Sequence, residues 1–224
     1  CLLATKISFA NEISKICELV PELDVVEVMK GVGLDDRITG RFLNAGPGFG
    51  GSCFPKDVSA IVNFSKSGGI KPKLLDSVLE VNDDQAIHFV DVAESLLGSV
   101  EGKTITLLGL SFKPGTDDMR EASSIRIVNE LLKRKAGKIV GYDPKAREMA
   151  QAILADKIVY ADSVKEALKN SDCALLVTEW DEFRDLSPKD FKDLMNAPNL
   201  VDGRRIYDFE EFRKKLLFRA IGRK

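Results

Sequence analysis

The hydrophobic pattern changes its period once, at Gly102, and that change restricts the architectures open to the chain. Before Gly102, apolar residues recur at helical spacing. Leu2, Leu3, Ile7, Phe9, Ala10, Ile13, Ile16 and Cys17 outline a first helix. A short helix follows over 25–30, ending at Gly31. Another starts near Pro55, a residue suited to a first helical turn, and runs through Val58, Ile61, Val62 and Phe64 to Gly68-Gly69. A long helix over 72–97 carries a stripe of Leu75, Val78, Leu79, Ile87, Val90, Ala93 and Leu97. At ~26 residues it spans ~39 Å, which suits either a bridge between domains or a plain core helix.

After Gly102, short buried runs alternate with helical ones. Strands are expected at 103–109, 138–142, 158–160, 174–178 and 200–201, with helices near 124–134, 146–154, 163–168, 188–194 and 209–216. That alternation predicts an α/β fold: an all-helical segment, 1–98, joined by the long helix to a doubly wound, Rossmann-like parallel sheet over 99–224. Ligands of such sheets bind beyond the carboxyl ends of the strands. The segments expected there are 111–120, Thr178-Glu179-Trp180-Asp181 and Asp202-Gly203-Arg204-Arg205. Lys113, Arg120, Arg204 and Arg205 can converge there on a phosphorylated ligand, since guanidinium forks bind phosphate bidentately. The alternative is that each is a solvated surface charge, and their position at strand ends favours ligand binding.

The richest chemistry lies in the helical segment, in Gly46-Pro47-Gly48-Phe49-Gly50-Gly51-Ser52-Cys53-Phe54-Pro55-Lys56-Asp57. A thiol ends a glycine-rich loop where a helix begins, with an ammonium and a carboxylate within one turn. Thiolate is the nucleophile, and helix N-termini and ammonium groups favour negative charge beside them. Asp57, one turn on, can orient or deprotonate a water. The run therefore reads as covalent catalysis through Cys53, against the plainer alternative of a small hydrophobe beside a turn. The same loop formally matches G-x-G-x-x-G, but a dinucleotide fingerprint must follow a buried strand, and residues 36–44 are not one.

Composition bounds the rest. Thirty-three Lys and Arg nearly balance 35 Asp and Glu, so no global field recruits nucleic acid or membrane. No apolar run approaches the ~20 residues that span a bilayer. The four cysteines lack metal-ligand or disulfide-framework spacing, which suits a reducing, cytoplasmic setting. The single His88, between Ile87 and Phe89, reads as packing or surface. The chain opens inside a helix with no initiator Met, cap or signal peptide, and is expected to be part of a longer protein.

Five blocks, 42–57, 109–120, Tyr142-Asp143-Pro144, Thr178-Glu179-Trp180 and Asp202–Arg205, resemble the nucleotide-sugar dehydrogenases in order and spacing over nearly the whole chain. The resemblance implies a central helical dimerisation domain, 1–98, and a nucleotide-sugar-binding domain, 99–224, with most of the NAD site in an N-terminal domain outside this sequence. The family's catalytic Lys and Asn would fall just before Cys1, so this segment alone is expected to be inactive. Cys53 resembles the nucleophile that captures an aldehyde as a thiohemiacetal and then a thioester, and Asp57 the residue that handles water. Phe42, Leu43, Asn44, Gly46, Gly48, Phe49 and Gly50 resemble the segment meeting the diphosphate and sugar. Phe112, Lys113 and Arg204 match substrate positions, Lys56 and Arg120 match NAD contacts, and Arg37 matches an Arg reaching the partner subunit's site. The implied reaction is oxidation of UDP-glucose to UDP-glucuronate with NAD, in a homodimer, without metal. GDP-mannose and UDP-N-acetylhexosamines are alternative substrates, and a non-catalytic binding and dimerisation module is the alternative class.

Overall fold

The computed structural model describes residues 1–224. The helical segment comprises α1 (Leu2–Cys17), α2 (Val25–Val32), α3 (Phe54–Ser67) and α4 (Lys73–Leu97). Asp24 caps α2 by accepting the Val26 N–H at 2.9 Å. Pro55 and Asp57 occupy the first turn of α3, where a missing N–H and a negative charge are favourable. The α4 helix stops at Gly98, whose φ of 74° lies in the left-handed region.

The second segment contains β1 (Thr104–Leu108), α5 (Ser123–Lys133), β2 (Lys138–Tyr142), α6 (Arg147–Leu154), β3 (Val159–Tyr160), α7 (Val164–Leu168), β4 (Cys173–Leu176), α8 (Asp181–Arg184), α9 (Pro188–Leu194), β5 (Asn199–Asp202), α10 (Phe209–Lys215) and β6 (Leu217–Ala220). The strands form one six-stranded sheet in the order β3-β2-β1-β4-β5-β6, parallel throughout. Five of these strands were expected. The sixth, β6, and the one-turn α8 escaped because each is a short stretch with charge inside it.

Side chains alternate across the sheet as the pleat requires. Ile105, Leu107, Ile139, Leu175 and Val201 enter one core together with Ala86, Phe89, Val90 and Ala93 of α4. Leu108, Val140, Leu176 and Leu200 enter the core on the other face, with Phe183, Phe191 and Phe212. Burial on both faces is what makes these strands read as continuous apolar runs. The long helix thus lies directly on the sheet as well as against α1 and α3. Contact is close enough that a Cβ on Gly203, just beyond β5, would sit 2.8 Å from the Phe89 ring. No helix is long and apolar enough to cross a membrane.

Candidate active site

Two buried asparagines fix the glycine loop. Asn11 of α1 accepts the Gly46 N–H at 2.9 Å. Asn82 of α4 takes both backbone groups of Phe49, accepting its N–H at 2.7 Å and donating to its carbonyl at 3.1 Å. Gly48, with φ of 108°, passes so close that a Cβ there would lie 3.1 Å from Asn82 Oδ1. Phe42, on a strained φ of 64°, meets Phe54 edge-on, and Phe54 meets the buried Phe49 in the same manner.

The loop delivers Cys53 to the start of α3, exposed, with the Ser52 hydroxyl 3.7 Å from its sulfur. The Asp57 N–H closes the first helical turn on the Cys53 carbonyl at 2.9 Å. The Asp57 carboxylate is exposed and 3.6 Å from Lys56 Nζ. Arg120, from the loop after β1, lines the same cleft as Ser52 and Lys56. Its bidentate pairing with Asp118 pulls the Asp118 carboxyl down and raises the Arg120 guanidinium, which also feels the charge of Cys53. Ser52, Lys56, Arg120 and Arg126, with Asp83 and Glu121, border a cleft of about 470 Å³ that Cys53, next in sequence to Ser52, does not itself line.

A doubly wound sheet normally opens a crevice where strand order reverses, here between β1 and β4. That crevice is closed. Gly109, φ of 92°, approaches Thr178 so tightly that a Cβ would lie 2.4 Å from the threonine Cβ. Thr178 Oγ1 donates to the Ser111 carbonyl at 2.6 Å. The amides that could cradle a phosphate, Leu110 and Ser111 N–H, donate instead to buried Asp143 Oδ2 at 2.7 and 2.9 Å. The Trp180 indole donates to the same oxygen at 3.1 Å.

The opening moves to the end of β5. Asp202, fully buried, accepts the N–H groups of Arg204, Arg205, Ile206 and Tyr207. Burial pushes its carboxyl up, and those amides with the Arg205 charge pull it back. The turn they form aims Arg204 at the glycine loop: a Cβ on Gly46 would sit 3.1 Å from Arg204 Nη1. Arg204 Nε donates to the Val177 carbonyl at 2.6 Å and lies 3.1 Å from Glu179, while its terminal nitrogens have no protein acceptor. Arg204, Arg184, Leu43, Asn44, Val25 and Met29 border a second cleft, of about 390 Å³.

The four basic residues of the strand ends do not converge. Arg205 is bound to Asp24 by two bonds of 2.8 and 2.7 Å and is only 11% exposed. Arg120 faces the cleft beside Ser52, and Lys113 lies 5.4 Å over the Phe112 ring. Phe112 backs the loop, its ring 2.8 Å from where a Gly51 Cβ would be. Arg37, 89% exposed, pairs only with Asp35 and borders neither cleft. Asn11 and Asn82 were missed, and Asp143 and Glu179 were quoted within their blocks without a role of their own. For Asn82 the signal was present, a polar residue on the apolar stripe of a helix, in line with Val78 and Phe89.

The fit to a nicotinamide dinucleotide is partial. With its turn amides bound to Asp143, the sheet has no cradle for a pyrophosphate. The cleft beside Ser52, with the exposed cations Lys56 and Arg120, suits one anionic edge of such a cofactor.

Fold and site define an α/β protein of the dinucleotide-binding topology with a glycine-rich, thiol-bearing loop set against the strand ends of its sheet. The chain belongs to the UDP-glucose/GDP-mannose dehydrogenase family: the family's central-domain model matches residues 1–84 and its UDP-binding-domain model residues 106–209. It is 43% identical to UDP-glucose 6-dehydrogenase TuaD of Bacillus subtilis, the match covering 99% of this chain and 48% of that protein. It is 45% identical to UDP-glucose 6-dehydrogenase AglM of Haloferax volcanii, over 91% of this chain and 46% of that one. The structure of a UDP-glucose dehydrogenase from the hyperthermophilic archaeon Pyrobaculum islandicum superimposes with a TM-score of 0.89 at 34% identity, covering 100% of this chain and 49% of that one. The chain thus spans about half the length of the relatives it matches.

Proposed function

We propose that this chain supplies the thiol and the sugar-nucleotide site of an NAD-dependent dehydrogenase that converts UDP-glucose to UDP-glucuronate. One observation carries the reading. A single glycine loop has the unpartnered fork of Arg204 against its start and the exposed Cys53 at its end. A diphosphate held by Arg204 and the backbone of 42–50 would place its sugar along the loop towards the thiol.

The cofactor, when bound, would accept the two hydrides whose loss takes the C6 alcohol to the aldehyde and later the thiohemiacetal to the thioester, and Lys56 and Arg120 would hold its edge. Cys53 adds as thiolate to the C6 aldehyde, forming a carbon–sulfur bond and a thiohemiacetal. Oxidation of that adduct leaves a thioester on Cys53. Asp57 orients water, which adds to the thioester carbon; the carbon–sulfur bond breaks to release the carboxylate and restore the thiolate, and the two protons of the water pass by way of Asp57 to solvent. Phe112 and Lys113 support the substrate side of the loop.

The division into a helical unit, 1–98, and a sheet unit, 99–224, belongs to the same proposal, as does a cytoplasmic setting. Dimerisation is assigned to the helical unit. Leu2, Phe9 and Ile16 stand exposed at seven-residue intervals on α1, and Leu74 is exposed at the start of α4. Arg37, exposed and clear of this chain's own clefts, would reach the partner's sugar site.

Thermal stabilisation by added ligand tests the reading. A ligand at ~100 times its Kd adds about 2.7 kcal/mol to a protein that binds it only when folded. UDP-glucose should raise the Tm and NAD should not. A rise with GDP-mannose alone would change the substrate, and no rise with any sugar nucleotide would overturn the site.

A further inference from the structure

Thr178-Glu179-Trp180 ends the β4 segment, and its three side chains go to three different places. Thr178 bonds the Ser111 carbonyl and Trp180 bonds Asp143, both closing the β1 side. Glu179 alone turns towards β5, bringing its carboxylate 3.1 Å from Arg204 Nε. The Nε–H itself is directed to the Val177 carbonyl at 2.6 Å, so Glu179 Oε2 is buried without a hydrogen-bond donor and acts on Arg204 through charge. Both groups are largely covered, at 31% and 18% exposure, so solvent screens the pair little.

The inner edge of the guanidinium is therefore held from two sides, and the outer edge is left towards Gly46. A guanidinium binds a phosphate well only when its plane is set, because its donors form a rigid fork. We propose that Glu179 is a positioning residue that holds the Arg204 guanidinium in the plane from which its terminal nitrogens bind the diphosphate of the sugar nucleotide. This rests on the sugar-nucleotide reading above and assigns a role to a residue that reading leaves idle.

The sign of the effect separates positioning from simple electrostatics. A carboxylate near a diphosphate repels it, so by charge alone its removal should tighten binding. Positioning predicts the reverse. UDP-glucose is titrated calorimetrically into the unaltered chain, Glu179→Ala, Glu179→Gln, Arg204→Lys and the Glu179→Ala/Arg204→Lys double variant, each verified as folded by circular dichroism. Glu179→Ala and Glu179→Gln, which both remove the charge facing Nε, should each weaken binding about 10-fold. Lysine has no Nε to hold, so in the Arg204→Lys background Glu179→Ala should add less than about 2-fold. Unchanged or tighter binding by Glu179→Ala, or an equal loss in both backgrounds, overturns the role of Glu179. Failure of the unaltered chain to bind UDP-glucose overturns the underlying site instead, and the role with it.

Discussion

The backbone N–H of Gly51 donates to the carbonyl of Arg120 across 2.8 Å, tying the thiol loop of the helical segment to the loop that follows β1. Beside it, Gly50 leaves no room for a side chain: a Cβ would lie 2.3 Å from the Glu121 carbonyl oxygen. Backbone faces backbone there, so neither side can swing away.

Gly50→Ala should separate the two loops at a cost of about 2 kcal/mol, the usual scale of overpacking. Separation frees the end of the loop that carries Cys53, so alkylation of Cys53 by iodoacetamide should change about three-fold. Cys1, exposed and distant in sequence, provides the internal reference. Peptide mass spectrometry reads both rates, and an unchanged ratio would show that the two loops are not coupled.

Thiol accessibility divides the cysteines in two. Cys1 and Cys53 are exposed, and Cys17 and Cys173 are buried. Burial pushes both inner thiols up, with the charges of Asp24 and Glu18 adding to the effect at Cys17 and that of Asp172 at Cys173. A disulfide reagent should titrate two thiols in the native chain and the other two only after unfolding. Cys53→Ala should leave one fast thiol with an unchanged Tm. In the complete dehydrogenase the same substitution should abolish acid formation, and a variant that still made the acid at the normal rate would remove the covalent mechanism.

Asp143 is the hub of the closed crevice. Its two oxygens accept from Leu110, Ser111, Lys145 and Ala146 N–H, the Ser111 hydroxyl and the Trp180 indole. Asp143→Ala leaves these donors without their acceptor, and should cost at least about 3 kcal/mol. Trp180 is the only tryptophan, so its emission reports directly on the crevice. A red shift should accompany the loss of stability. Unaltered emission with an unaltered Tm would mean that the crevice is closed by Thr178 and Gly109 alone.

These relationships explain what was legible in sequence and what was not. Strand and helix alternation after Gly102 showed in the apolar runs because both faces of the sheet are buried. The thiol loop stood out because glycine, proline and cysteine crowd into twelve residues. The charged residues at the strand ends were harder, since sequence gives their position along the chain but not their partners. Arg204 and Arg205 are neighbours with opposite fates, one left with an open fork and the other tied to Asp24, far away in sequence. The asparagines that hold the loop were hidden for the same reason. Their partners are backbone atoms of Gly46 and Phe49, and a backbone atom leaves no trace in composition.

The Arg205–Asp24 pair gives the last prediction, and its sign follows from where the carboxyl titrates. Burial alone would push Asp24 up. The Arg205 hydrogen bonds, the Val26 amide and the charges of Arg205 and Arg223 outweigh it and hold the carboxyl below its ordinary 3.8. A depressed carboxyl contributes stability above its unfolded-state value and loses it as the pH falls through the lower folded one. The pair is only 11% and 12% exposed and joins the start of α2 to the end of β5, so it is a largely buried bridge between the segments. Asp24→Asn keeps the side-chain oxygen that caps α2 and removes only the charge facing Arg205 and Arg223. Near neutral pH the variant should lose about 3 kcal/mol, as when one partner of a buried pair is removed. As the pH falls from about 5 towards about 3, the Tm gap between the two proteins should narrow, because protonation does to Asp24 what the substitution has already done. Other depressed carboxyls, Asp118 and Glu130 among them, are common to both proteins and cancel in the difference. A gap that stays constant down to acid pH would show that the bridge between α2 and the sheet does not depend on this charge.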